Sequence, residues 1–121
     1  EQQHHFCFPL HPVKGEQPRP WPQIAGIALN GIPIQPGTAD FWDDRSRRGF
    51  SRQGDQRWRL EGLGNAAKLG MDHNNAHVDH RGVYHYHGTP VALVEKTGKT
   101  LIGYAADGFE IHAIGDRRRS V

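Results

Sequence analysis

A chain of 121 residues with 36% hydrophobic content, 15 glycines and 8 prolines can bury one modest core, and its composition favours short strands joined by tight turns over long helices. No stretch approaches the run of roughly 18 apolar residues that a membrane-spanning helix needs. The net charge is only +2, from 15 basic and 13 acidic residues, so a preference for an anionic partner has to come from local clusters.

The first residues, EQQHHFCF, lack an initiator methionine and a charged start leading into an apolar stretch. They read as a processed or trimmed product, a removed secretion signal being one reading. Cys7 is the only cysteine, so an internal disulfide is impossible and the compartment cannot be read from thiols. It is expected as a buried small hydrophobe or an incidental thiol rather than a nucleophile. Residues 1–23 carry Pro9, Pro12, Pro18, Pro20 and Pro22, which excludes a helix or a central strand. They read as an extended arm laid over the domain and anchored by Trp21, with His4, His5 and His11 as surface groups.

IAGIALNGIPI, residues 24–34, predicts a hairpin turning at Asn30-Gly31 in a type I′ turn, with Pro33 limiting its second strand. Residues 35–59 read as a loop packed down by Phe41 and Trp42. This segment holds Arg45, Arg47, Arg48, Arg52, Arg57 and Arg59, interleaved with Phe50 and Trp58 and diluted by Asp43, Asp44 and Asp55. It reads as a solvated loop, with an anionic ligand as the alternative. NAAKLG, residues 65–70, predicts one helical turn capped by Asn65 and stopped by Gly70. GVYHYHG, residues 82–88, predicts a strand; VALVEKTGKT reads as another strand running into a Gly98 turn. LIGYAADGFEI, residues 101–111, predicts a second hairpin at Asp107-Gly108.

The two hairpins agree beyond their turns. At a constant offset of 77, Gly26 matches Gly103, Ala28 matches Ala105, Gly31 matches Gly108 and Ile34 matches Ile111, suggesting a core with approximate two-fold symmetry. The expected fold is a mainly β, single small domain over residues 24–116, a sandwich or a small barrel with little helix, followed by a basic tail at 117–121.

MDHNNAHVDHRGVYHYHGTP holds five of the nine histidines. On a strand, His85 and His87 share one face with Val83 while Tyr84 and Tyr86 share the other. A His-x-His pair of this kind offers two imidazoles to one metal ion. A third ligand can come from the turn-rich stretch upstream, where Asp72, His73, His77, Asp79 and His80 lie, and Asn74 and Asn75 favour turns. Three ligands leave a coordination position open for water or substrate. The bland alternative is a histidine-rich edge whose rings bond to backbone carbonyls.

These segments, in this order, resemble the YHYH domain family, found mainly in secreted bacterial proteins. The likeness spans about residues 24–112 and rests on D-x-x-N-[GA]-H, then YHYHG, then G-[YW]-A-x-D-G-F-P-I-Y. It marks Asp72, Asn75, His77, Tyr84, His85, Tyr86, His87, Asp107, Gly108 and Phe109, and leaves His73 and His80 as bystanders. Glu110 and His112 stand where the pattern has Pro and Tyr, and His112 would alter a site there, for instance as an extra ligand. The resemblance implies an extracellular or periplasmic location and carries no known reaction.

Two functions follow as expectations. One is a secreted metal-binding domain with His77, His85 and His87 as ligands to a divalent transition metal, zinc or copper ahead of iron, supported by Asp72 or Asp107. The other is a metal-dependent hydrolase on the same ligands, with Asp107 or Asp72 as general base and an anionic substrate such as a phosphodiester at the arginine-rich segment. Asp107 is also simple turn chemistry, and Asp72 is free to cap nearby backbone. A metal-free glycan-binding or adhesion domain using Trp21, Trp42 and Trp58 has only composition behind it.

Overall fold

The computed structural model describes residues 3–20 and 22–114. It forms two sheets. The larger has six strands in the order β6-β7-β2-β1-β8-β9, the smaller three in the order β4-β3-β5. In chain order these are β1 (Gly26–Ala28), β2 (Pro33–Ile34), β3 (Gly37–Trp42), β4 (Phe50–Ser51), β5 (Asp55–Glu61), β6 (Ala76–Val78), β7 (Tyr84–Tyr86), β8 (Leu101–Ala105) and β9 (Glu110–His112), with two short helices, α1 (Ala66–Leu69) and α2 (Val91–Thr97). The expected mainly β domain with little helix is what forms, and its linear strand order with free edges is an open arrangement rather than a closed barrel.

The symmetry suspected from the repeat is present at the centre of the large sheet. β1 and β8 pair antiparallel as Gly26 with Ala105, Ile27 with Tyr104 and Ala28 with Gly103. Ile27 therefore faces its own repeat counterpart, and a local two-fold axis passes between them. The backbone bonds obey the same operation. Ala28 N–H donates to Ile32 at 2.9 Å and Ala105 N–H to Phe109 at 2.8 Å, while Leu29 donates to Ile102 as Ala106 does to Ala25.

The turn type differs from the expected type I′. Gly31 and Gly108 have φ of 81° and 89°, but neither Asn30 nor Asp107 has a positive φ. Gly31 N–H bonds back to Ala28 and Gly108 N–H to Ala105. This is a three-residue loop in which only the glycine enters the left-handed region. The same pattern recurs at a third hairpin, where Asp79 N–H donates to Val83, Gly82 N–H to Asp79, and Gly82 has φ 77°.

Two element assignments are corrected. Residues 35–59 are not a loop: they supply β3, β4 and most of β5, and Trp42 is 54% exposed rather than a packing anchor. Arg59 instead lies over the Phe41 ring and Arg48 over Phe50, so guanidinium groups cover aromatic faces in a way that the sequence pattern does not show. Residues 91–97 are a helix, not a strand. Pro90 is its N-cap and Gly98, at φ 61°, its C-cap, and this N-terminal Pro with C-terminal Gly outweighs the β-branched Val91 and Val94. Gly70 stops α1 as expected, at φ 67°, although the Asn65 side chain makes no cap bond.

Cys7 is exposed, not buried. The arm does approach the domain, since the Pro9 carbonyl lies against Gly108, while Trp21 and residues 117–121 lie outside the described residues. Among the described residues, no helix is long and apolar enough to cross a membrane. The core is small: Ala28, Ile34, Ala76 and Tyr86, flanked by Ile32, Tyr84, Leu93 and Ile111.

Candidate metal centre

The β6–β7 hairpin places Ala76 opposite Tyr86, His77 opposite His85 and Val78 opposite Tyr84. Alternation then sorts the chemistry. Tyr86 enters the core and its hydroxyl accepts a hydrogen bond from Asn30 Nδ2 at 3.0 Å. On the other face, His77 and His85 meet as direct cross-strand neighbours, with His87 beside them one step beyond β7.

The three imidazoles converge through the same atom. His87 Nε2 lies 3.1 Å from His77 Nε2 and 3.0 Å from His85 Nε2. Each Nδ1 faces a backbone carbonyl: Leu69 O for His77 at 2.7 Å, Val83 O for His85 at 3.0 Å, and Pro36 O for His87 at a long 3.5 Å. A carbonyl only accepts, so Nδ1 carries the proton and Nε2 is left with a bare lone pair. Three lone pairs aimed at one another repel unless a cation lies between them. Two imidazole nitrogens on a tetrahedral zinc stand about 3.3 Å apart, from Zn–N bonds of about 2.05 Å, within a few tenths of an ångström of the two separations found. His77, His85 and His87 could therefore hold a metal ion, their ligand atoms all lying within 4.8 Å of one another.

Burial pushes the His85 and His87 pKa values down from 6.5, and a charge on the neighbouring imidazoles adds to it, against smaller opposing effects from Val83 O and Pro36 O. Both rings are therefore neutral at pH 7 and able to ligate. The same shift sets a stability window for the metal-free protein. Below about pH 6.5 the unfolded chain takes up these protons before the folded one does, so stability falls as pH drops through that value and is flat above it. Thermal melts of the chelator-treated chain between about pH 5 and 8 should show this slope, reduced in a His85→Asn/His87→Asn variant. An equal slope in both would show that the buried imidazoles do not set it.

Three residues marked by the motif but absent from the cluster, Asp72, Asn75 and Tyr84, brace the segment around it. Asp72 Oδ1 accepts from the N–H groups of Asn74 at 2.8 Å and Ala76 at 3.1 Å, and Oδ2 accepts from the Tyr84 hydroxyl at 2.5 Å. Burial raises the Asp72 pKa, but these bonds outweigh it and the net shift is downward. Tyr84 is pushed up to about 12, first by burial and then by the bond to Asp72. Asn74 Oδ1 accepts the Ala92 N–H at the start of α2, and Asn75, at φ 58°, donates from Nδ2 to Thr89 O. The Asn75 carbonyl accepts the His87 N–H at 2.8 Å. Asp72 and Asn75 are thus clamps on the loop that delivers His77.

A pocket of about 280 Å³ opens in front of the imidazoles, its lining including Gln35, Arg48, Arg52, His77, His85 and His87. Of the carboxylates, Asp40 and Asp79 line it; Asp72 and Asp107 do not. Asp107 sits exposed in the β8–β9 turn, facing the Phe109 N–H. His80, left aside by the motif, is in the pocket wall, whereas His112 pairs with Glu110 at 2.8 Å and Thr100 at 3.0 Å. Sequence reasoning missed Gly62, on which the His87 ring packs. A Cβ there would lie 2.5 Å from Nδ1, and no spacing rule marks it. A second concavity, of about 320 Å³ beside Trp42, holds no histidine, and its Asp43 and Asp55 are bonded to Ser51 and Arg57.

Fold and site together define a small β domain with a triple-histidine cluster, two of its imidazoles buried. The chain belongs to the YHYH protein family, whose model matches residues 5–117. That match is wider than the segments carrying the sequence resemblance and takes in most of the proline-rich arm. No curated protein and no solved structure matches the chain significantly.

Proposed function

We propose that the protein is a metal-binding domain that holds one divalent transition ion on His77, His85 and His87, acting outside the cytoplasm as the family resemblance implies. The observation carrying this is the convergence of three Nε2 atoms whose Nδ1 partners are all backbone carbonyls. An imidazole-only donor set suits zinc or copper, with iron possible, and disfavours calcium and magnesium. The backbone carbonyls orient the rings as outer partners do in other His-bound metal sites.

The test is the metal content of the chain produced without a histidine tag. About one zinc, copper or iron per chain is expected, lost in His85→Ala/His87→Ala while circular dichroism shows the fold retained. A chain that takes up no metal even after supplementation would end this reading.

A metal-dependent hydrolase is the second reading, favoured by one observation: Arg48 and Arg52 of the arginine-rich segment line the same pocket as the histidines. Asp40 and Asp79 are the carboxylates within reach of that pocket. Asp72 would contribute through the loop it clamps, and Asp107 lies at a different turn.

A further inference from the structure

Gln35 is 7% exposed, lines the pocket beside the imidazoles, and its side-chain amide has no hydrogen-bond partner among the described residues. Since no side-chain polar atom shut off from the surface lacks a partner, this amide opens onto the pocket and addresses what enters there. Arg52 lines the same pocket and has no ion-pair partner among the described residues. Arg48 and Arg81 also line it, with Asp40 at 3.9 Å and Asp79 at 3.5 Å as their partners.

The charge balance identifies the guest. The lining holds three guanidinium groups against two carboxylates, and an ion on the histidines adds two further positive charges. A neutral or cationic guest leaves that surplus unbalanced in a partly enclosed space. A carboxylate monoanion offsets it in part, a phosphate dianion more fully, and a guanidinium fork matches phosphoryl oxygens. About 280 Å³ is near the lower end of the usual range for small-molecule pockets, room for a phosphoryl head with a small organic remainder.

We propose that this pocket binds a small phosphomonoester dianion, whose oxygen takes the open position on the metal while Arg52 and the Gln35 amide donate to the others. The assignment rests on the metal-binding reading, and its test separates the two. Cobalt(II) is loaded stoichiometrically into the full chain and its visible ligand-field bands are followed during titration with inorganic phosphate, phenyl phosphate and acetate. Saturable band shifts are expected with both phosphates, with acetate at least about tenfold weaker. Arg52→Ala and Gln35→Leu should each weaken phosphate about tenfold or more and leave the bands without anion unchanged; Arg52→Lys should fall between. Intact bands that do not respond to phosphate overturn the proposal and spare the metal site, as do variants that bind like the parent. Acetate binding as tightly as phosphate removes the dianion assignment. Absence of cobalt bands removes the metal reading itself.

Discussion

Gly103→Ala should cost the protein about 3 kcal/mol or more. Gly103 lies in β8 beside the local two-fold axis, opposite Ala28. An added Cβ would overlap the Ile27 carbonyl oxygen and stand 2.8 Å from Ala28 Cα. Both neighbours are backbone in the most buried strand of the sheet, so no side chain can swing aside. Relief requires β1 and β8 to separate, which breaks the central ladder. The counterpart Gly26 has its own conflict, 2.6 Å to the Tyr104 carbonyl and 2.7 Å to Ile111 Cδ1. One of those neighbours is a movable side-chain end, so Gly26→Ala should be the milder of the two. In a domain of this size the Gly103 variant should melt more than about 10 °C lower. An unchanged melting temperature would show that the strands tolerate separation and that the axis is not tightly packed.

Gly62→Ala should separate metal affinity from folding. Gly62 has φ −68° and ψ −48°, a conformation alanine adopts freely, so the backbone does not object. The conflict is with the His87 ring, at 2.5 Å from Nδ1, 2.8 Å from Cγ and 3.1 Å from Cβ. The imidazole must tilt, its long bond to Pro36 O is the first to go, and Nε2 leaves the point where the others meet. Metal affinity should fall about 10–100-fold, as when an outer partner of a ligating histidine is removed, while metal-free stability changes by about 1–3 kcal/mol from overpacking. Gly64→Ala is the control, since its nearest neighbour is the flexible Glu61 carboxylate at 3.2 Å. Competition titrations with a chromophoric chelator give the comparison, and equal affinities for Gly62→Ala and the parent would mean that His87 is not a ligand.

What could be read in advance was local. Asn30-Gly31 and Asp107-Gly108 marked both central hairpins because glycine chemistry is written in neighbouring residues, and the repeat carried the symmetry with it. The alternation of Tyr84, His85, Tyr86 and His87 exposed two of the three clustered imidazoles, and the motif added the third. Strands β3 to β5 stayed hidden because Phe41 and Phe50 are covered by the guanidinium groups of Arg59 and Arg48, which a count of hydrophobic residues scores as charge. Helix α2 was masked by β-branched valines whose strand preference yielded to Pro90 and Gly98. Gly62, Gln35 and the pocket position of His80 depend on contacts between segments far apart in sequence, for which no local pattern exists.

The β6–β7 hairpin also has a tolerance problem built into it. Tyrosine and histidine alternate along β7, so a slip of one residue would send imidazoles into the core and phenols into the histidine-lined pocket. Two left-handed residues, Asn75 before the hairpin and Gly82 within its loop, hold the count between His77 and His85. The Asp79 carboxylate accepts the Arg81 and Val83 N–H groups, so the loop's length is fixed by its own side chain as well as by Gly82, and an inserted or deleted residue that is not absorbed there exchanges the roles of the side chains along β7.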